Sequence, residues 1–487
     1  GTGLSEDEPK HLTRILEQMP WDAINVGNHD IEVTETVRYI TSSTNMTTKT
    51  GTIITPSFVE SWGGRYLTSN VILNGDTGDT TMGERYRFLR GERTVLTFGF
   101  LYDFDDASPL LTVERVEDVI QSHWFQRVLR GEDGDFDAIL VLAHFDVEHP
   151  LVNVVLMEIR RVCGKTIPVQ FITGHTHYRG FKQMDEFSAS FEAGRYLDTI
   201  GFVSFPYSNA SAVTEQVEKE PNDNHNAVLF QHVFLDANVD FLRKSLNIIQ
   251  DEFDTDLGEA LSQFIEDTQQ SMGILNVIGC APQKFEIENR LNETGSLWQL
   301  YMDEIVLNEL LQHDTGAMFM QSVDWTFRHD LFQGNITVSD LIAVIPQDFV
   351  IYSIAEDIDY STLKELISII NAEKSGYADD KLPRFGVSAV CEKDQNQHCA
   401  DDDDVKSYHV YSVDNNVRYL TDQLNYLTNR TFQSHKVLVG NQQYTVKMLW
   451  EQYIGNNWSC DKQNSEYYDV ATTSSYFSKG VLTTVLI

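Results

Sequence analysis

A chain of 487 residues with 36 basic and 73 acidic side chains carries a formal charge of −37. A field of that sign repels nucleic acid and anionic membrane surfaces unless basic groups cluster, and no basic cluster is present. Its content, 41% hydrophobic, 22% charged and 11% aromatic, is that of a folded globular protein and excludes a disordered or collagen-like chain.

The length exceeds what one hydrophobic core serves, so two or three domains are expected. Among the longest apolar runs, 151–157 and 274–280 fall far short of the ~20 residues a membrane-spanning helix needs. Gly1-Thr2-Gly3-Leu4-Ser5 has neither a starting Met nor a signal-peptide pattern, and reads as the middle of a longer sequence.

Ser5-Glu6-Asp7-Glu8 has capping-box form and opens a helix through Leu12, Ile15 and Leu16, after which 21–26 reads as a short strand. Apolar periodicity predicts a strand over 94–100, a helix over 113–129, a strand over 138–143, a helix over 151–162 and a strand over 167–172. This alternation is the pattern of an α/β domain with a layered sheet. Further strands are expected over 195–205 and 227–235.

Leu242, Leu246, Ile249, Phe253, Leu257 and Leu261 then recur at helical spacing among acidic residues, which predicts one long amphipathic helix bridging two domains. The second block has helices near 297–311, 339–343 and 363–370. The last two are introduced by Thr337-Val338-Ser339-Asp340 and Thr362-Leu363-Lys364-Glu365, both of capping-box form. Tyr, Thr and Val after position 400 point to a strand-rich end. The division expected is therefore 1–238, a linking helix over 239–270, and 271–487. Residues 215–226 and 401–404 are the polar, flexible stretches, and the four-aspartate run lacks the spacing and glycine of a calcium loop.

Of five cysteines, Cys391 and Cys399 could close a small ring, Cys280 and Cys460 are a candidate long-range pair, and Cys163 sits in an apolar context as a buried thiol. N-x-S/T sequons occur at Asn45, Asn209, Asn292, Asn335, Asn429 and Asn457. Together these features lean towards a eukaryotic secretory route, with a secreted, cell-surface or vacuolar, lumenal destination.

Three segments place metal-binding side chains where an apolar strand ends: Gly27-Asn28-His29-Asp30, then His144, then Gly174-His175-Thr176-His177. Strand ends are where active sites of α/β sheets form. One strand-end histidine is most often a hydrogen-bonded structural residue; it is the three in order that point to a metal centre. Other histidines, His123, His149 and His398, have no partner spacing and read as structural. A phosphate-binding G-x-x-x-x-G-K-[ST] loop and a G-x-S-x-G nucleophile elbow are both missing.

In these three blocks the chain resembles the calcineurin-like metallophosphoesterases, whose signature runs D-x-H, G-D, G-N-H-[DE], a lone H and G-H-x-H. It is most similar to the 5′-nucleotidase branch. Thr68-Ser69-Asn70-Val71 echoes that branch's S-x-N-V, Ala193-Gly194-Arg195-Tyr196 its A-G-x-Y, and Arg328 to Pro346 its stretch from an arginine to a proline. The resemblance implies a four-layer αββα catalytic domain, a linking helix and a C-terminal α+β substrate domain. It implies two divalent cations, zinc, manganese, iron or cobalt, that activate a hydroxide and clamp a phosphate monoester. It assigns Asn28, His144 and His175 to one metal and His177 to the other. His29 would face the phosphate as the catalytic residue, with Asp30 holding its imidazole in the charged form.

The family's D-x-H and G-D blocks precede G-N-H-[DE], and residues 1–26 do not supply them. Gly1 to Ser5 resembles the stretch just after G-D, so the expectation is a chain that has lost its first strand and retains as few as one metal. The branch's base-binding N-G-G-x-R element is replaced by Val323-Asp324-Trp325-Thr326-Phe327-Arg328, and Pro346-Gln347 stands where a phenylalanine would follow proline. Arg328 is left to grip a phosphate or a carboxylate of its own domain, and Phe349, Trp325 or Phe385 to replace the stacking surface. The substrate expected is a small phosphate ester, foremost a nucleotide. The alternatives are a 2′,3′-cyclic phosphodiesterase or nucleoside-diphosphate-sugar hydrolase, and a retired enzyme kept as a surface or binding protein.

Overall fold

The computed structural model describes residues 10–48, 51–75, 78–205, 230–248, 253–290, 293–311, 316–323, 326–372, 383–390 and 407–460, and the chain divides between Glu266 and Asp267 into two units. In the first, β1 (Tyr86–Arg90), β2 (Thr94–Leu101), β3 (Ala138–His144), β4 (Val169–Thr173), β5 (Arg179–Asp185) and β6 (Ser188–Ala193) form one sheet in the order β5-β6-β4-β3-β2-β1. The four central strands are parallel, and β1 and β5 close the two edges antiparallel. Parallel neighbours require crossovers, and the helices Val116–Gln121, His123–Leu129 and Pro150–Cys163 supply them.

Side chains of β3 alternate between two cores, which is why the strand reads as an unbroken apolar run. Ile139, Val141 and Ala143 pack with Phe98, Val152, Val155 and Ile159 under the helices, whereas Leu140 and Leu142 meet Leu67 on the opposite face. Beyond that face the strands Ile24–Asn25 and Tyr66–Leu67 pair in parallel. A third core, with Val26, Ile31, Val37, Ile40, Trp62 and Val71, joins the helices Thr34–Thr41 and Phe58–Ser61 to these smaller sheets. Helix, sheet, smaller sheets and helix make the four layers expected.

The S-x-N-V echo has a structural basis. Fully buried Asn70 accepts from the Leu101 amide at 2.9 Å and donates to the Leu101 carbonyl at 2.8 Å, fastening the end of β2. Register sets Ala143 beside both Phe100 and Thr173, so β2, β3 and β4 end level and their following loops share one edge.

Three expectations change. The helix over 113–129 is two helices, because Ser122 at ψ 151 leaves helical geometry and its side chain accepts from the Phe125 amide as an N-cap. The long bridging helix is also interrupted: Val239–Leu246 ends at left-handed Asn247, φ 53, and a new helix begins at Asp256. The strand expected over 195–205 starts only at Thr199, since Tyr196 and Leu197 are left-handed.

The second unit carries β7 (Ala317–Ser322), β8 (Ile351–Ile358), β9 (Phe385–Ala389), β10 (Tyr408–Val413) and β11 (His435–Lys436) in the order β9-β7-β10-β8-β11. Met318 and Met320 face the helices Tyr360–Ile370 and Asp414–Thr428. Ala317 and Phe319 face the opposite core, built by Val446–Asn457 and by Leu297–Gln299 continuing as the π-helical segment Leu300–Leu311. Thr337 and Asp340 form the expected capping box, but the other helix is capped by Asp359 rather than Thr362. The described residues after 407 are mainly helical, not strand-rich: their apolar positions, such as Leu420 and Leu424, recur at helical spacing.

Cys280 and Cys460 are disulfide-bonded. Cys163 is a free, partly buried thiol pushed up to about 11 by burial. The Ser5–Glu8 box, 215–226, 401–404, Cys391, Cys399, Asn209, Asn292 and Trp325 lie outside the described residues.

Candidate active site

The short strand Ile24–Asn25 delivers Gly27 into a tight turn, Asn28–Asp30. Asp30 closes the turn on itself, its Oδ2 accepting from the Gly27 amide at 2.9 Å. Glu32 reaches back over the turn with both carboxylate oxygens. Its Oε1 accepts from Asn28 Nδ2 at 2.7 Å, and its Oε2 lies 3.0 Å from His29 Nδ1. With its nitrogen committed to Glu32, the buried Asn28 amide turns Oδ1 towards His144, 3.0 Å from Nε2. His175 Nδ1 stands 3.3 Å from that same His144 Nε2, and the Tyr102 ring packs on His175 at 4.9 Å between centroids.

The electrostatics agree with ligand chemistry. Burial pushes His144 down to about 3, and positive charge on His175, His29 and His177 pushes the same way. The imidazole is therefore neutral across the physiological range, with a nitrogen lone pair to offer. Burial lowers His175 as well, followed by the charges of His29 and His149. Glu32 is held below its usual range chiefly by the hydrogen bond to His29. Asp30 is raised above its usual range by burial. The carboxylate that meets His29 is thus Glu32, where the sequence pointed to Asp30.

A side chain at Gly27 would crowd the site: a Cβ built there would stand 3.1 Å from His144 Cε1 and 3.3 Å from Nε2. The second loop is strained. His175 and His177 have φ of 81 and 67°, and Tyr196 and Leu197, on the neighbouring loop, 51 and 59°. The remaining non-glycine residues with positive φ among those described are Asn247, Asp357 and Asn429, residue types that tolerate this region. A histidine or leucine there costs about 1–3 kcal/mol and persists only where its surroundings hold it. The two loops touch through His177 and Tyr196, whose rings are 5.3 Å apart.

Beneath the histidine loop lies Glu192 of β6, 1% exposed. It accepts from Thr176 Oγ1 at 2.7 Å, and the amides of His177 and Tyr178 face the same carboxylate. Burial raises Glu192 above its usual range, and these donors pull it back.

The fold thus brings Asn28, His144 and His175 together, ties His29 to them through Glu32, and sets His177 on the same loop as His175. Arg328 and Phe349 belong to the second unit. The Arg328 amide donates to the Val344 carbonyl at 3.0 Å. Phe349 is 4% exposed and built into that unit's core, and Phe385, 3% exposed, stacks on Tyr419. Glu32 and Glu192 were not singled out in the sequence; Glu32 stands four residues after Asn28 and three after His29, whereas nothing in the local sequence marks Glu192.

An amide oxygen and two imidazole nitrogens suit a borderline divalent cation such as zinc, manganese, iron or cobalt. No group of three or more His, Cys, Asp or Glu side chains is arranged to hold a metal among the described residues. The residues present fit one ion through Asn28, His144 and His175, and do not complete a second site.

No protein-family model matches the chain. Curated relatives are an uncharacterized protein of Schizosaccharomyces pombe, 26% identical over 93% of this chain and 78% of its own length, and a secreted protein of Arthroderma benhamiae, 25% identical over 80% and 62%. An uncharacterized Saccharomyces cerevisiae protein is 24% identical over 71% of this chain and 57% of its own. The chain thus spans less than two thirds of the latter two relatives.

Among solved structures it is similar to a 5′-nucleotidase from Candida albicans, with 18% identity, TM-score 0.72, and 91% of this chain and 85% of that one covered. A 5′-nucleotidase precursor from Thermus thermophilus gives 13%, 0.57, 93% and 84%. A putative 5′-nucleotidase from Staphylococcus aureus gives 15%, 0.52, 94% and 84%. With its parallel-sheet unit followed by a second α/β unit, the chain has the fold of these 5′-nucleotidases.

Proposed function

We propose that this protein is a metal-dependent phosphoric ester hydrolase of 5′-nucleotidase type, cleaving a phosphate monoester of a small molecule, foremost a nucleotide. The observation that carries the reading is the convergence of Asn28 Oδ1, His144 Nε2 and His175 Nδ1 within hydrogen-bonding range, with His29 held alongside by Glu32. Asn28, His144 and His175 would hold a divalent cation, and His177 is assigned to a second. Such an ion supplies Lewis-acid stabilisation of phosphoryl charge and of a water nucleophile at neutral pH.

The chain's own residues do the rest. Glu32 fixes the Asn28 amide with its oxygen towards the histidines and meets His29 Nδ1 with its other oxygen. The His29 side chain, 48% exposed, is free to donate a proton or hydrogen bond to a leaving oxygen. Asp30 holds the turn that presents both residues. In the second unit Arg328 is the proposed phosphate or carboxylate grip, whereas Phe349, expected as a stacking surface, is 4% exposed and packed into that unit's core.

A secretory location is supported by the sequons, by the disulfide and by a relative named as a secreted protein. Among the described residues no helix is long and apolar enough to cross a membrane.

Phosphate release tests the reading. Protein loaded with Mn²⁺ or Zn²⁺ should hydrolyse AMP faster than glycerol phosphate; equal rates on both mark a general phosphatase. Preference for a 2′,3′-cyclic nucleotide or a nucleoside-diphosphate sugar redirects the substrate while keeping the centre. One observation favours a second reading, a binding protein without turnover: among the described residues no group of three or more His, Cys, Asp or Glu side chains is arranged to hold a metal. Metal binding without phosphate release from any of these esters would establish it.

A further inference from the structure

We infer that Glu192 is the positioning residue of the metal-ligating histidine loop, acting through Thr176 and the backbone amides of His177 and Tyr178. The inference rests on the proposed metal site. His175 and His177 alternate with Thr176, and both adopt left-handed backbone that their side chains disfavour. A loop of that kind relaxes to ordinary φ unless it is fastened from outside.

One carboxylate supplies the fastening. Glu192 is 1% exposed and stands on β6 opposite Thr173, the last residue of β4 before the loop. Its Oε2 takes the Thr176 hydroxyl at 2.7 Å, and its Oε1 is buried without a hydrogen-bond partner on the side of the next two amides, so the middle residue of the loop is tied to one rigid strand position. A carboxylate suits this task because it accepts from several donors at once and has none to misdirect. Glutamine of the same shape would turn an amide nitrogen towards at least one backbone N–H.

Residues that orient metal ligands from behind typically alter metal affinity by about 10- to 100-fold when changed. Glu192→Gln and Thr176→Val should therefore raise the Kd for Zn²⁺, measured by calorimetry on folded protein, at least tenfold. In metal-free protein the same changes should speed hydrogen exchange at the His177 and Tyr178 amides at least tenfold. Thr176→Ser, which restores the hydroxyl, should return both readouts to within threefold of wild type.

Unchanged Kd and unchanged exchange in Glu192→Gln and Thr176→Val overturn the inference. So does a lowered melting temperature with exchange at those two amides unaltered, which would make Glu192 a sheet residue only. Faster exchange in both variants, in a protein whose wild type binds no Zn²⁺, removes the metal site and leaves the anchoring role standing.

Discussion

Gly27→Ala puts the metal site to a test that stability alone cannot mimic. The backbone at Gly27, φ −113 and ψ 166, is ordinary extended geometry, so alanine brings no torsional strain. Its smaller unfolded-state entropy stabilises by about 0.4–1 kcal/mol. Against that, the new methyl would meet His144 Cε1 at 3.1 Å, where carbon atoms prefer about 3.5–4.0 Å. Mild overpacking of this kind costs about 1–3 kcal/mol, leaving a net loss of about 0–2.6 kcal/mol and a melting point lowered by no more than about 10 °C.

The ring relieves the contact by moving about 0.4 Å or more, the shortfall against that preferred spacing. Nε2, 3.0 Å from Asn28 Oδ1, is carried with it. Metal–ligand distances tolerate about 0.2 Å, so affinity for Mn²⁺ or Zn²⁺ should fall about tenfold or more in a protein that remains folded. Calorimetric titration beside a thermal melt measures both quantities. Gly91→Ala, where nothing stands closer than 3.9 Å, serves as the control and should leave the Kd unchanged while raising the melting point slightly. A Kd within twofold of wild type in Gly27→Ala would refute the assignment of His144 as a ligand.

His29→Ala should lower turnover about 100-fold while leaving metal affinity within threefold, whereas His175→Ala should lower both; phosphate release and calorimetry separate the two. Glu32→Gln should lower turnover by about 10- to 100-fold and Asp30→Asn by less, because the former loses the partner of His29 and the latter only a turn contact. Cys280→Ser with Cys460→Ser opens a loop closed across 180 positions, and should cost the second unit about 2–5 kcal/mol in denaturant melts. The Asp359 carboxyl is lowered to about 2 by hydrogen bonds from Ser361 first and then from Thr362. Its stabilisation is complete above the unfolded value of 3.8 and is lost as pH falls towards 2. Asp359→Ala should therefore cost about 1 kcal/mol at pH 7, the ordinary worth of an exposed helix cap, and progressively less below pH 4.

Where local pattern and fold agreed, the sequence was legible. β3 was readable because it is buried on both faces and so reads as an unbroken apolar run from Ala138 to Ala143, and β2 and β4 keep enough of that pattern around Thr97, Gly99 and Gln170 to be recognised. The interrupted helices were not readable from apolar spacing, since Ser122 and Asn247 stop a helix with a cap while Leu and Val continue the period on either side. The last block was misread for the opposite reason: Tyr, Thr and Val favour strands only where a pleated, half-buried surface receives them. In Asp414–Thr428 the buried Leu420 and Leu424 decide for helix.

The partner of His29 shows most sharply what a linear motif conceals. In a tight turn, neighbouring side chains diverge and those three or four positions apart meet. Asp30, adjacent to His29, therefore points back to the Gly27 amide. Glu32, at plus three from His29 and plus four from Asn28, receives both. A single carboxylate thereby holds both the proposed ligand amide and the proposed catalytic imidazole. Its replacement by glutamine cannot satisfy both donors, since one of its two terminal atoms becomes a donor itself. The chemistry of the G-N-H-D block accordingly extends two residues beyond it.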